Sequence, residues 1–281
     1  MRGFLSENLI ALCRNSSSPV YAVGGAVRDF LISGEVSCDF DLCGDLLPEA
    51  FVSLAEKHGF HAVATYKHTG TTVVSDGSRK YEYSVTREES YPAGGAHTPE
   101  KVKFSVGIER DALRRDFKCN AVYYDVAADK YIDPLKGIDD IKNRVLSAAN
   151  LPEAVFSHDG LRLMRLARFV GELGFTPDKE TLAAAKMFAA NVKDVSAERV
   201  KAELDRILYA DKAHTFSPKD GHYRALKILD ETRVLDEIMP ELTLGRGMAQ
   251  RSDFHKYDVL EHSLRCVCYA DEKVRIAALL H

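Results

Sequence analysis

The stretch Tyr21-Ala22-Val23-Gly24-Gly25-Ala26-Val27-Arg28-Asp29, followed ten residues later by Asp39-Phe40-Asp41, decides the fold of the first half of this chain. An apolar run over residues 20–23 ends in two glycines, after which Val27, Phe30 and Leu31 take up a helical spacing. Strand, glycine turn and helix start are all present. Paired glycines let the backbone approach a bulky anion with no Cβ in the way, and the helix N-terminus behind them offers unpaired N–H groups and a positive dipole end. Arg28 adds a fixed cation. In the second piece side chains alternate across a strand, so Asp39 and Asp41 point to one side and Phe40 into the core. Two carboxylates on one face make a hard-oxygen site for Mg²⁺. Each piece alone is a common feature, a tight turn or a solvated strand end; their order and spacing point to metal-assisted phosphate chemistry.

Working outward, 281 residues with 46% hydrophobic composition suffice for two domains with real cores. Lys and Arg number 38 against 42 Asp and Glu, a formal net charge of −4, so a nucleic acid must be gripped by local basic surface rather than by the overall field. The six cysteines (Cys13, Cys38, Cys43, Cys119, Cys266, Cys268) show no C-x-x-C spacing, which predicts reduced thiols packed as small hydrophobes and no zinc site. No uncharged apolar run approaches the roughly 18 residues of a membrane span, so no membrane is expected and the place expected is the cytoplasm.

The predicted fold class is α+β: a mixed-sheet head over residues 1–150, then an all-helical neck and body over 151–240 and a further helical segment over 241–281. Strands are expected at 20–23, 38–42, 60–65, 71–75 and 80–86, and helices beginning near Phe4, Val27 and Pro48. Beyond Pro152 the apolar spacing becomes helical, as in Leu161, Met164, Leu166, Ala167 and Val170. The segment 88–99, with Pro92, Gly94, Gly95 and Pro99, reads as a mobile loop.

Further constellations follow. Glu82, in the strand before Arg87, is a candidate third acidic group for the metal site; an outward-facing strand Glu is the alternative. Asp111-Ala112-Leu113-Arg114-Arg115-Asp116-Phe117-Lys118-Cys119-Asn120-Ala121 sets adjacent cations beside Asp116 and Asn120. Guanidinium groups suit phosphate, and the carboxylate and amide suit ribose hydroxyls. In Ser157-His158-Asp159-Gly160-Leu161-Arg162, Asp159 and Arg162 are three apart and so placed on one helix face, with Arg165 and Arg168 continuing the row. Ser196 with Glu198 reads as a helix N-cap with a first-turn acid.

Taken together these motifs resemble the class II branch of the polymerase β-like nucleotidyltransferases, which holds bacterial CCA-adding enzymes and poly(A) polymerases. That family carries an Arg-Arg-Asp-Phe-Thr-Ile-Asn-Ala signature, from which this chain departs at Lys118 and Cys119, and a Glu-Asp-x-x-Arg template motif, where His158 replaces the Glu. The resemblance implies transfer of CMP and AMP from CTP and ATP to the 3′ end of tRNA, with pyrophosphate released and Mg²⁺ held by Asp39 and Asp41. It assigns the phosphates to Gly24, Gly25 and Arg28, the ribose to Arg115, Asp116 and Asn120, and the base to Asp159 and Arg162. A carboxylate accepts the exocyclic amino group of cytosine or adenine while a guanidinium donates to the ring nitrogen; uracil and guanine offer the opposite pattern. The 88–99 loop would assist the change from C to A addition, although it contains no Lys or Arg. The tRNA surface is expected on the helical half, among Arg162, Arg165, Arg168, Lys201 and Arg206, and the oligomeric state is open. Poly(A), CC-only and A-only enzymes share the same head, and an idle RNA-binding module is a further alternative. The stretch from His255 to His262 and the closing Ala277-Ala278-Leu279-Leu280-His281 resemble the opening of an HD phosphohydrolase domain. With no Asp after His281, a working hydrolase is not expected, and His262 and His281 are at most remnants of a metal site.

Overall fold

The computed structural model describes residues 1–36, 40–91, 99–251, 253 and 256–281. It divides into two compact units, Met1–Ser90 with Pro99–Asn143 and Ser147–Asn150, and Leu151–His281 with Tyr91 and Arg144–Leu146. The first unit contains α1 (Glu7–Arg14), β1 (Val20–Val23), α2 (Gly25–Ser33), β2 (Phe40–Gly44), α3 (Pro48–Lys57), β3 (His61–Tyr66), β4 (Thr71–Ser75), β5 (Lys80–Val85), β6 (Arg87–Ser90), β7 (Lys101–Phe104), α4 (Ile108–Leu113), β8 (Tyr123–Asp125), β9 (Lys130–Ile132) and α5 (Gly137–Asn143). Among the described residues, seven strands form one mixed sheet in the order β3-β4-β5-β2-β1-β8-β9, in which only β2 and β5 pair in parallel.

Alternation along the central strands splits their side chains between two faces. Phe40, Leu42, Tyr81 and Tyr83 are buried on one face, where Phe51 of α3 stacks on Tyr83 with ring centroids 3.7 Å apart. Such a pair contributes about 0.5–1.5 kcal/mol beyond area burial. The Tyr83 hydroxyl keeps its polar end satisfied by donating to the Leu46 carbonyl at 2.9 Å. On the other face, Val23, Cys43 and Tyr123 close against Ile108, Ala112 and Ala121. Cys13, Cys43 and Cys119 are free and buried, as packed thiols should be, and burial pushes the Cys13 and Cys119 thiols up to about 12; Cys38 lies outside the described residues.

Two expectations for this unit change. Residues 88–90 belong to β6, which pairs antiparallel with β7, Glu88 opposite Lys103, so this part of the expected loop is strand; residues 92–98 lie outside the described residues. Two adjacent glutamates disguise a strand in which Glu88 faces Lys103 and Glu89 faces Val102. β7, β8 and β9 lie outside the expected strands, because three or four residues are too few to display a period, and all three of β8 are buried.

The second unit contains β10 (Val145–Leu146), α6 (Pro152–His158), α7 (Leu161–Leu173), β11 (Thr176–Pro177), α8 (Lys179–Met187), α9 (Ala197–Leu208), α10 (Gly221–Glu231), α11 (Val234–Ile238), α12 (Pro240–Thr243), α13 (Val259–Tyr269) and α14 (Arg275–Leu279). It is helical apart from the parallel two-residue pairing of β10 with β11. Ser196 does stand at the N-cap of α9, but its side chain makes no capping hydrogen bond; its carbonyl accepts the first bonds of the helix, from Arg199 and Val200. No helix among the described residues is long and apolar enough to cross a membrane.

Helices α7 and α10 meet backbone to backbone. A Cβ on Gly171 would lie 2.6 Å from the Gly221 carbonyl oxygen, and one on Gly221 would lie 2.4 Å from that of Gly171. Gly171→Ala must push the helices apart, and should lower unfolding free energy by about 1–3 kcal/mol, read from the shift in urea midpoint.

Candidate active site

β1 and β2 run antiparallel with Val23 opposite Asp41, and β2 and β5 run parallel with Asp41 opposite Glu82. The glycine turn that ends β1 therefore meets the start of β2. Gly24 has φ +81°, in the left-handed region that a side chain resists, and a Cβ there would lie 3.1 Å from Oδ2 of Asp41. A Cβ on Gly25, the first residue of α2, would lie 3.7 Å from Nη2 of Arg28. The two glycines stand between an anionic side and a cationic side. Phe40 is buried while Asp41 and Glu82 are exposed, as alternation requires. Side by side on neighbouring strands, their hard oxygens suit a small divalent cation. Asp39 lies outside the described residues, and among the described residues no group of three or more His, Cys, Asp or Glu is arranged to hold a metal ion.

Arg28 is only 4% exposed. Its Nε and Nη2 donate to Oδ1 of Asp29 at 2.9 and 2.7 Å, and its Nη1 donates to Oδ1 of Asn120 at 2.7 Å. Asn120 Nδ2 donates to Oδ1 of Asp116 at 3.0 Å, which also accepts from the Phe117 N–H at 2.8 Å. Residues 92 positions apart in the chain thus form one buried run of hydrogen bonds. Asp29 anchors that run, a part the sequence reading did not give it.

Arg115 belongs to a different network, centred on Asp111, which is 0% exposed. Asp111 Oδ1 accepts from the Arg87 N–H at 3.2 Å and Arg114 Nε at 2.7 Å. Its Oδ2 accepts from Arg115 Nε at 3.1 Å, Arg115 Nη2 at 2.9 Å and the Tyr123 hydroxyl at 2.8 Å. Burial alone would raise the Asp111 carboxyl, but the Arg115 and Arg114 charges and the hydrogen bonds from Arg114 and Tyr123 outweigh it and hold the group well below the usual carboxylate range. Burial likewise disfavours the Arg115 charge, yet Tyr123 and Asp111 hold its pKa well above the ordinary arginine value. Glu89 adds a link from β6, accepting from Arg87 Nε at 2.6 Å and lying 3.8 Å from Arg114 Nη1. The signal for Asp111 was in the sequence, since it precedes the two arginines by three and four positions, the spacings at which helical side chains meet.

In the second unit, Asp159 is not on a helix face with Arg162. It lies between α6 and α7 with extended backbone, φ −151° and ψ 106°, and its Oδ1 accepts from the Leu161 N–H at 3.0 Å. The extended Asp159 itself makes the break; Gly160 already has helical backbone at the N-cap of α7, and a Cβ there would meet the Asn191 carbonyl oxygen at 2.0 Å. Arg162 is buried, with Nη1 donating to the Val155 carbonyl at 3.3 Å. Arg165 is half-buried, its guanidinium 5.3 Å from the Phe169 ring centre. Arg168 is buried against Glu203 at 2.8 Å and Glu172 at 3.5 Å. Of the five basic residues expected to face RNA, only Lys201 and Arg206 are exposed. His158 stacks on Tyr91, ring centroids 4.7 Å apart. Near the C-terminus, His262 Nε2 is 3.4 Å from Cys266 Sγ and its ring is 6.1 Å from that of His281, while His255 lies outside the described residues.

Residues 20–147 match the family model of the poly A polymerase head domain, and residues 174–244 match that of the probable RNA and SrmB-binding site of polymerase A. The chain belongs to the CCA tRNA nucleotidyltransferase and poly(A) polymerase family. A CCA-adding enzyme of Geobacillus sp. (strain WCH70) is 37% identical over 212 residues, 74% of this chain and 51% of that protein. One of Bacillus pumilus (strain SAFR-032) is 33% identical over 220 residues, 78% of this chain and 50% of that protein. Among solved structures, the Bacillus stearothermophilus CCA-adding enzyme in complex with CTP matches with TM-score 0.70 at 25% identity, covering 99% of this chain and 67% of that one. The chain spans about half the length of the curated relatives it matches. Nucleotidyltransferases of this family generally need a divalent metal.

Within this family fold Asp111 makes an acid-stability signature. Because its folded-state pKa is depressed, its contribution is fully present above the unfolded value of about 3.9 and is lost as pH falls through the folded one. Asp111→Asn leaves Arg114 and Arg115 facing an uncharged group, and should cost about 3–5 kcal/mol at pH 7. The gap from wild type in urea midpoint should shrink steadily below pH 4.

Proposed function

We propose that this chain is the nucleotidyl-transferring part of a CCA-adding enzyme, which adds CMP and AMP from CTP and ATP to the 3′ end of tRNA without a nucleic acid template. The observation that carries the reading is the junction at Gly24 and Gly25, with the Asp41 and Glu82 carboxylates on one side and Arg28 on the other. Such a junction sets a carboxylate edge against a backbone that can admit a triphosphate. The curated relatives named above are CCA-adding enzymes, and this supports tRNA as the acceptor. A cytoplasmic place accords with those substrates.

The reaction joins the terminal 3′-hydroxyl oxygen to the α-phosphorus, breaks the bond from that phosphorus to the bridging oxygen, and releases pyrophosphate. Gly24 and Gly25 clear space for the phosphates, and Arg28, locked by Asp29 and Asn120, lays fixed positive charge under the turn. A divalent cation, Mg²⁺ by the hard-oxygen character of its donors, would be held by Asp39, Asp41 and Glu82, and when bound would acidify the attacking hydroxyl and screen the triphosphate. Arg115, Asp116 and Asn120 place the ribose. Asp159 and Arg162 read the base edge, with Arg165 and Arg168 behind them; an Asp held between helices and an Arg anchored on a carbonyl are pre-set for that task.

The decisive assay supplies tRNA ending before CCA, and tRNA ending in CC, with CTP and ATP separately and together. Addition of C, C and A in order is expected. A tail of many A residues on unrelated RNA would favour a poly(A) polymerase, and arrest after CC or action only on tRNA-CC would mark a partial enzyme. Asp41→Ala should lower transfer by at least about a hundredfold while far-UV circular dichroism stays unchanged. For base choice, Asp159→Ala and Arg162→Ala should each raise incorporation of UTP and GTP relative to CTP and ATP by about tenfold or more; unchanged selectivity would remove the template role.

A further inference from the structure

Every side-chain hydrogen bond that Arg115 makes among the described residues leaves from one edge of its guanidinium. Nε and Nη2 go to Asp111 Oδ2 at 3.1 and 2.9 Å, and Nε is 3.1 Å from the Tyr123 hydroxyl. Among the described residues Nη1 has no partner. The guanidinium carbon also lies 5.4 Å from the Tyr123 ring centre, so the plane as well as the edge is held from beneath. The Arg115 side chain keeps 16% exposure, whereas that of Asp111 keeps none. A guanidinium is planar and donor-only, so clamping one edge fixes the direction in which the other donates.

We propose that Asp111, seconded by Tyr123, is a positioning residue that aims the Nη1 edge of Arg115 at an acceptor oxygen of the bound nucleoside triphosphate. This rests on the nucleotidyltransferase reading. It adds that the aspartate four residues before Arg115 acts on the nucleotide only through that arginine. It also gives the start of β6 a stake in the site, because Asp111 takes the Arg87 N–H on its other oxygen.

The test is a double-mutant cycle on the full chain, read as the Kd for CTP with Mg²⁺ by titration calorimetry, with CMP and cytidine as further arms. Asp111→Asn and Arg115→Ala should each weaken CTP by about tenfold to a hundredfold, the range for losing one charge-assisted hydrogen bond. Asp111→Asn in the Arg115→Ala background should cost nothing further. Weakening shared by CTP and CMP but absent for cytidine places the acceptor on the α-phosphate, weakening of CTP alone places it on the outer phosphates, and equal weakening of all three places it on the sugar. A purely structural role would lower the melting temperature yet leave CTP affinity untouched, or leave the Asp111 penalty intact without Arg115, and either result overturns the proposal. Should Asp111→Asn not fold, Tyr123→Phe replaces it in the same cycle, with a smaller loss expected and the same criterion. A protein that binds CTP but extends no tRNA overturns the CCA reading and leaves the cycle readable, while one that binds no CTP overturns both.

Discussion

The antiparallel pairing of β1 with β2 is the constraint on which the site depends. It brings the last residue of one strand, Val23, opposite Asp41 near the start of the next, so the turn that follows must pass directly over a carboxylate. Gly24 stands there with φ +81°, a backbone that side chains rarely adopt, and a Cβ would crowd Asp41 Oδ2 at 3.1 Å. The same register, carried across the parallel β2–β5 pair, sets Glu82 beside Asp41. One alternating pattern thus buries Phe40 and Leu42 against aromatic neighbours and leaves a carboxylate edge at the open end of the opposite face. Stability and chemistry use the two sides of the same strands.

Around this edge the charged motif residues do more structural work than their exposure in sequence suggests. Arg28 and Asp111 are each buried, and an isolated charge in such a place would be heavily penalised. Each is instead saturated: Arg28 by Asp29 and Asn120, Asp111 by two arginines, a tyrosine and a backbone N–H. Buried ion pairs contribute little net stability compared with apolar replacements, but breaking one is costly, so such networks favour a single geometry. Under the proposed reading, in which the site holds a flexible triphosphate, fixed donor directions are worth more than raw stability.

The helical unit follows the same principle with different means. Extended backbone at Asp159 parts α6 from α7, and Gly160 follows it because the Asn191 carbonyl occupies the space a side chain would need. Arg168, one of the row expected to face RNA, is buried between Glu172 and Glu203. Burial draws its pKa below the ordinary arginine value while the glutamates pull it back up. Spacing along the chain put these arginines in a row; burial separates them into a packed pair and a half-exposed Arg165.

Much of the fold was legible in the sequence. Strand 20–23, the strand at 71–75 and the helix opening at Pro48 follow from alternation, β-branched residues and proline, which are local properties of the chain. The pairing of Asp41 with a neighbouring acid was legible only as a possibility, because Glu82 has the same sequence context whether its strand lies beside β2 or at an edge. Tertiary structure alone decided that β5 lies next to β2, that Arg28 reaches Asn120 across 92 positions, and that Asp159 falls between helices rather than on one. The physical reason is that hydrophobic periodicity is written over a few residues, whereas the partner of a buried charge is chosen by strand order and by the backbone space that glycines leave, and both exist only once the chain has folded.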